Sequence, residues 1–240
     1  MSKGKSATRN RGSDYYRYPN PERIGKMKSF LIIGMGGFGH HLCESLAKKD
    51  CEIMIVDEKE EAVEDMLSYV VSAKIGDCTK IEVLKSFDIP SFDTCFVCIG
   101  ENFQNSLEIT SLLKECGAKK VISKADRDIQ EKFLLRNGAD AVIYPEKNMA
   151  ERYAIRESSE HIFDYINLGG DYSIFEIDVL DKWIGKTVKE LNFRVKYNLS
   201  VLATKNGSTV NPVITGERKF AKDEHLLVLG KEEDVRKLTK

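Results

Sequence analysis

No apolar run in the 240-residue sequence approaches the roughly 20 residues that a membrane-spanning helix requires. The N-terminus is charged, but no hydrophobic segment follows it, so the sequence does not predict a secretory signal. Histidine is scarce, with four in the chain, and none has the sequence neighbours typical of a catalytic histidine. With 42% hydrophobic and 31% charged residues, the composition predicts a soluble globular protein of one large or two small domains.

The six cysteines also lack the spacing of a metal or redox site. Cys95 and Cys98 spell a CxxC, but residues three apart on a strand point to opposite faces of the sheet. Because no secretory signal is indicated, we expect a reducing cytosol and free, mostly buried thiols.

Charge is unevenly placed along a chain whose net charge is −1. Residues 1–28 contain eight basic and two acidic residues and show no apolar periodicity, which predicts a basic disordered tail. Two interpretations of this tail remain open. It contacts acidic lipid or an acidic surface of another subunit, or it is a solvated leader without a partner.

Residues 30–57 contain the pattern of a nucleotide-binding βαβ unit. Four apolar residues at 30–33 predict a strand buried on both faces, and a G-x-G-x-x-G motif follows at once. Gly34 permits a tight turn, Gly36 leaves room for a pyrophosphate, and Gly39 lets the next helix pack closely on its strand.

The helix predicted at 37–49 begins with Gly37 and Phe38, whose free amide groups would face the phosphates of a bound nucleotide. A second apolar strand then ends in Asp57, where a carboxylate can accept hydrogen bonds from ribose hydroxyls. The glycine motif alone is weak, but strand, glycines, helix, strand and terminal acid in this order strongly predict a dinucleotide-binding arrangement.

Strand and helix patterns alternate from residue 29 to about residue 144. This alternation predicts an α/β fold with a Rossmann-like, doubly wound parallel sheet and helices on both faces. The predicted strands are 29–33, 52–57, 69–75, 94–99, 119–123 and 141–144, and the predicted helices are 37–49, 59–67, 79–86, 102–116 and 127–137.

Further candidate ligand residues follow the later strands, at the edge where such sheets bind ligands. Asp77 and Cys78 follow the third strand, and Asp77 either helps to hold an adenine amine or caps the next helix. Gly100 follows the fourth strand and permits close approach of a nucleotide. Lys124 and Glu146 follow the next two strands, either as a phosphate contact and a ligand for a cation such as Mg²⁺ or Na⁺, or as solvated surface charges.

Residues 148–168 predict a long amphipathic helix with more apolar side chains than one small sheet would bury. We expect it to cross to a partner subunit; the alternative is a linker helix packed on its own domain. Residues 169–240 predict a small α+β domain with a hairpin at Asn206-Gly207, a strand at 225–229 and a final helix.

Several segments together resemble the RCK/KTN family, and within it the TrkA- and KtrA-like regulatory subunits of potassium uptake systems. They are FLIIGMGGFGHHL, Asp57, GDCT at 76–79, YPEKNMA at 144–150, and SIFEIDVLDKWIGKTVKELNFRVKYNLSVLA in the C-terminal part. The resemblance covers residues 29–240, and its most discriminating part is the last segment, which an ordinary dehydrogenase lacks.

The resemblance implies a nucleotide domain at 29–147, a crossover helix at 148–168 that gives dimers, and a C-terminal domain at 169–240. It also implies an octameric ring at the inner face of the cell membrane, bound to an integral potassium-translocating subunit. The ligand implied is an adenine nucleotide, ATP/ADP or NAD(H), in a gating protein that is not an enzyme.

One position departs from the family pattern. Where KtrA-like proteins carry an arginine that contacts the terminal phosphate across the dimer, this chain has Gly37. We therefore expect weaker discrimination between ATP and ADP. Lys59, two residues after Asp57, either compensates for the lost charge or is a solvated lysine at the start of a helix.

The resemblance further implies a second ligand, cyclic di-AMP, held by Arg194, Asn198 and Pro212 at a dimer interface. Ordinary structural roles are equally open for all three residues. Arg194 would pair with an acid such as Glu190, Asn198 would form a turn, and Pro212 would end a strand.

Two other functions compete with gating. An NAD(H)-dependent oxidoreductase would use the same glycine motif, but it needs a proton donor oriented by a second group. A nucleotide-linked transcription factor would need a DNA-binding motif, which the sequence after the sheet lacks, so no nucleic-acid partner is expected.

Overall fold

The computed structural model describes Tyr15–Tyr16 and residues 27–238 of the chain. It contains two compact units, Met1–Pro145 and Glu146–Lys240, and each is described by itself. Among the described residues, no helix has the length and apolar character needed to cross a membrane.

The first unit alternates strands and helices as the sequence predicts. Its elements are β1 (Tyr15–Tyr16), β2 (Lys28–Ile33), α1 (Gly37–Ala47), β3 (Cys51–Asp57), α2 (Glu60–Glu64), β4 (Ser72–Ile75), α3 (Ile81–Lys85), β5 (Thr94–Val97), α4 (Phe103–Glu115), β6 (Val121–Lys124), α5 (Asp128–Arg136) and β7 (Ala141–Ile143). The α/β class is confirmed, and the main difference is that α2 and α3 are shorter than predicted.

The strands form one sheet in the order β1-β4-β3-β2-β5-β6-β7. All neighbouring pairs from β4 to β7 are parallel. The parallel part of the sheet starts near the centre at β2, runs outward through β3 and β4, and then continues at β5 on the other side of β2. The strand order therefore reverses between β2 and β5, which is where sheets of this type bind ligands.

The apolar run in β2 is buried on both faces, as predicted. Leu31 and Ile33 pack in one hydrophobic cluster, whereas Ile32 between them packs in the cluster on the other face. Cys95 and Cys98 likewise belong to different clusters, so this CxxC spelling places its two thiols on opposite sides of the sheet. Burial raises the pKa of each of these thiols to about 12.

Part of the predicted disordered tail is ordered. Tyr15–Tyr16 forms the short strand β1, which pairs antiparallel with β4 at the edge of the sheet. Pairing with an exposed edge strand satisfies backbone groups irrespective of side-chain pattern, which is why composition gave no signal for it. Residues 1–14 and 17–26, on which the rest of that prediction falls, lie outside the described residues.

The second unit is built around a separate antiparallel sheet. Its elements are α6 (Pro145–Glu157), β8 (Ile162–Asn167), β9 (Tyr172–Asp178), α7 (Val188–Leu191), α8 (Phe193–Tyr197), β10 (Ser200–Asn206), β11 (Thr209–Asn211), β12 (His225–Lys231) and α9 (Glu232–Leu238). The strand order is β11-β10-β12-β9-β8. The predicted small α+β domain is thus present, with β8 as an additional edge strand.

The prediction of one helix over 148–168 was wrong in its second half. The helix ends at Glu157, and residues 162–167 form β8, which pairs antiparallel with β9. Apolar residues at 162–166 match both a helical and a strand spacing, and pairing with β9 decides between them. Ile162 is buried in the core of this unit, and Ile155 packs against that core.

Candidate functional site

The glycine loop between β2 and α1 has the local geometry predicted for each of its three motif glycines. Gly34 has a φ of +93°, and a Cβ there would lie 3.0 Å from Cγ1 of Ile99. A Cβ on Gly39 would collide with the carbonyl oxygen of Gly34, so only glycine lets α1 approach its strand this closely. By contrast, the space around Gly36 and Gly37 is open to at least 4 Å.

The N-terminus of α1 is open to an anion. Gly36 is the N-cap residue and provides no side-chain cap, and the first turn contains no acidic residue. The first helical hydrogen bond runs from the amide of His40 to the carbonyl of Gly36, at 2.9 Å. The amides of Gly37, Phe38 and Gly39 precede it and, together with the helix dipole, favour a phosphate beside the open space.

Asp57, at the end of β3, holds the glycine loop in place. The amide of Met35 donates to its Oδ2 at 2.7 Å, and the amide of Lys59 donates to its Oδ1 at 2.9 Å. A carboxylate has about four acceptor positions, so Asp57 can still accept ribose hydroxyls. The sequence predicted the ribose contact alone; the loop-holding bond to Met35 was missed, although the parallel pairing of β2 with β3 brings the two strand ends together.

Asp77 closes a turn and does not cap the next helix, which corrects one of its two predicted roles. Its Oδ1 accepts hydrogen bonds from the amide of Thr79 at 2.9 Å and from the Thr79 hydroxyl at 2.6 Å. Chiefly because of the hydroxyl bond, the pKa of Asp77 is lowered. The N-cap of α3 is Lys80, which follows this turn.

The side chains of Cys78 and Lys59 differ in their exposure to solvent. The Cys78 side chain is buried in the core, and burial raises its pKa to about 12, so a ligand can meet only its backbone. Lys59 is exposed at the N-cap of α2, and its backbone amide holds Asp57.

Lys124 and Gly100 lie together at the carboxyl ends of β6 and β5. The Lys124 side chain is only 11% exposed and lies 3.2 Å from Asp126, which corrects its alternative description as a solvated surface charge. A Cβ on Gly100 would lie 2.9 Å from the Lys124 ammonium. The mostly buried ammonium group of Lys124 therefore lies at the same edge of the sheet as the glycine loop.

The remaining predicted ligands belong to the second unit. Glu146 is exposed near the start of α6, and its role as a cation ligand stays a prediction. Arg194, Asn198 and Pro212 are all exposed. Asn198 has a φ of 55° and ends α8, as its structural alternative required, and Pro212 directly follows β11.

Glu190, the acid expected to pair with Arg194, is instead hydrogen-bonded to Thr187. The Glu190 carboxylate accepts from the amide and the hydroxyl of Thr187, at 2.7 and 2.9 Å, and these bonds lower its pKa. Among residues 27–238, no acidic side chain forms an ion pair with the Arg194 guanidinium. Arg194 is thus a free, exposed cation on α8.

Comparisons with known proteins agree with this architecture. The TrkA-N domain model matches residues 30–145, and the TrkA-C domain model matches residues 172–240. Ktr system potassium uptake protein C of Bacillus subtilis (strain 168) is 34% identical over 213 residues, which cover 89% of this chain and 96% of that protein. Ktr system potassium uptake protein A of the same organism is 34% identical over 212 residues, covering 88% and 96%.

Solved structures of the GsuK channel share the fold. The GsuK RCK domain superposes with a TM-score of 0.63 at 16% identity, covering 93% of this chain and 50% of that one. The GsuK channel bound to NAD has a TM-score of 0.64 at 16% identity, covering 93% and 40%. This chain thus spans half or less of those chains, and the likeness establishes the fold alone.

Proposed function

Because this chain belongs to the family of proteins with TrkA-N and TrkA-C domains, we propose that it is a cytosolic regulatory subunit that gates a membrane potassium transporter. The support is the match over nearly the whole length of two Ktr system potassium uptake proteins. Its partner would be an integral potassium-translocating subunit at the inner face of the membrane.

The regulatory ligand we propose is an adenine nucleotide on the glycine loop. The observation that carries this proposal is the open space at Gly36 and Gly37, beside the uncapped N-terminus of α1 and within reach of Asp57. A related fold, the GsuK channel, has been solved with NAD. Phosphates would lie against the helix amides and the ribose against Asp57, with Lys124 adding positive charge at the same sheet edge.

Two measurements, a thermal shift and a hydride-transfer assay, distinguish a gating subunit from an oxidoreductase. We expect ATP, ADP or NAD(H) to raise the Tm of the full chain without any hydride transfer in a nicotinamide absorbance assay. Turnover of nicotinamide with any substrate would contradict gating, and the absence of a shift with every nucleotide would contradict binding. The nucleotide that co-purifies with the protein, identified by mass spectrometry, gives an independent result.

Gly37 predicts poor discrimination between ATP and ADP. Gly37→Arg should widen the ratio of the two affinities, because a charge-assisted contact to the terminal phosphate is about twice as strong as a neutral one. A Cβ at position 37 would meet no atom within 4 Å, so a side chain can leave the backbone there without a clash. Calorimetric titration with both nucleotides measures the ratio, with Gly37→Ala as control. A wild type that already prefers ATP by orders of magnitude would contradict the prediction.

Self-association through α6 is also proposed. Met149 and Tyr153 lie one turn apart on this helix and are 46% and 50% exposed, a pairing typical of a surface that another subunit covers. Met149→Asp with Tyr153→Asp should convert a dimer to monomers, since the charges would be desolvated in the contact. Light scattering at micromolar concentration measures the mass, and a monomeric wild type would contradict the proposal. An octameric ring would require further contacts.

A second nucleotide, cyclic di-AMP, is proposed at Arg194, Asn198 and Pro212. Arg194 supports it because its guanidinium is exposed, while Glu190 is bound to Thr187. Cyclic di-AMP should raise the Tm of the full chain, and Arg194→Ala should abolish that shift while leaving the response to ATP unchanged. Lys196→Ala, on the same helix, is the matched control. A shift that survives Arg194→Ala would remove Arg194 from the site.

A further inference from the structure

Three metal-ligating side chains meet at the start of α1, outside the contacts described so far. His40 and His41 follow Gly39 directly, and Glu44 lies one helical turn further on. One nitrogen or oxygen donor from each side chain lies within 4.8 Å of the other two. The two imidazole rings stand at 78° to each other with their centroids 5.9 Å apart, so they do not stack.

We propose that His40, His41 and Glu44 bind a divalent transition-metal ion of the Zn²⁺ or Ni²⁺ class. Imidazole nitrogens together with a carboxylate suit these ions, whereas Mg²⁺ and Ca²⁺ prefer oxygen ligands alone. Bonds of about 2.0–2.2 Å require the three donors to move closer together. The His41 side chain is 79% exposed, so it can rotate to make this adjustment without disturbing the core.

Ordinary structural roles do not account for these two histidines. Within residues 27–238, the only carboxylate paired with either ring is Glu44, whose Oε2 lies 3.5 Å from Nδ1 of His41, and such an exposed pair stabilises little. Each of the other two histidines pairs with a carboxylate through its Nδ1 atom. His161 lies 2.9 Å from Asp178, and His225 lies 2.6 Å from Glu176.

Because the cluster lies at the start of α1, a bound metal ion should change the affinity for nucleotide. This step rests on the proposed nucleotide function. A bound cation would add positive charge to the helix whose amides face the phosphates, where Gly37 provides no side-chain charge. Metal and nucleotide should therefore bind with positive coupling, and each should raise the affinity for the other by the same factor.

Titration calorimetry of the untagged full chain with NiCl₂, without nucleotide, tests the metal site. We expect one Ni²⁺ per chain, with affinity reduced roughly tenfold or more in His41→Ala and in Glu44→Gln. Glu64→Gln on α2 and His161→Ala in the second unit are controls that should bind as wild type does. Equal binding by all variants, or binding by wild type no tighter than by a His40→Ala/His41→Ala double variant, would overturn the proposal.

A second titration separates this inference from the nucleotide function. ATP is titrated into the chain with and without saturating Ni²⁺. Tighter ATP binding in the presence of the metal, lost in His41→Ala, supports the coupling. ATP binding that is independent of Ni²⁺ in all variants would overturn the coupling, yet it would leave the nucleotide function intact.

Discussion

Gly39→Ala should destabilise the first unit by about 3 kcal/mol, the upper part of the range for overpacked cores. The new Cβ would collide with the carbonyl oxygen of Gly34, and backbone atoms at that point cannot rotate away. To relieve this collision, α1 would have to move off the sheet, and that movement would also open the loop proposed to receive the phosphates. Calorimetry of the full chain should show the Tm of the first unit lower by about 10 °C. Hydrogen exchange in β2 identifies which transition belongs to that unit.

Gly37→Ala is the matched control for this experiment, because its Cβ meets nothing within 4 Å. Alanine also has the higher helix propensity, so we expect unchanged stability or a gain of up to about 1 kcal/mol. If Gly39→Ala were as stable as Gly37→Ala, the close approach of α1 to the strand would be excluded as the reason for glycine at position 39.

Asp57→Ala should weaken adenine nucleotide binding by about 1–3 kcal/mol, or roughly 5- to 150-fold. The change would remove the proposed ribose hydrogen bonds. It would also leave the amide of Met35, which donates to Asp57 at 2.7 Å in the wild-type chain, without its acceptor. The loop would then have to be ordered by the ligand itself, at a further cost in affinity. Calorimetric titration of the full chain with ATP, ADP and NAD⁺ measures the loss.

Asp93→Ala distinguishes a local effect on the ligand from a general effect on stability. Asp93 also accepts a backbone hydrogen bond from a neighbouring strand, with the amide of Ser29 at 3.0 Å. It precedes β5 and therefore lies at the amino edge of the sheet, opposite the glycine loop. We expect Asp93→Ala to lower the Tm and leave nucleotide affinity unchanged. Equal affinity losses in both variants would contradict the assignment of Asp57 to the ligand.

The first unit could be predicted well because its signals are local and redundant. A buried parallel strand needs apolar residues on both faces, and 30–33 supplied them without interruption. The glycine at 39 followed from helix packing, which a fixed sequence spacing encodes. The same spacing could not reveal that Asp57 also holds Met35, since this bond depends on which strands become neighbours.

The errors concern segments whose structure is decided by distant residues. The apolar residues at 162–166 suit either a helix or a strand, and the presence of β9 as a partner selects the strand. Lys124 resembles any surface lysine in sequence, and its limited exposure follows from Asp126 and the loop at Gly100. Asp77 was equally ambiguous in sequence. Its carboxylate can accept hydrogen bonds either within a turn, as it does from the amide of Thr79, or from the free amides at the start of a helix.

The single tryptophan of the chain is Trp183, which is fully buried in the core of the second unit, where its ring contacts Phe193 and Tyr197. Selectively excited tryptophan fluorescence therefore follows the unfolding of that unit alone. A nucleotide bound at the proposed site on the glycine loop would stabilise the first unit directly. Any displacement that the nucleotide causes in the fluorescence transition then measures the free energy passed from one unit to the other, which is the quantity that a gating subunit must transmit.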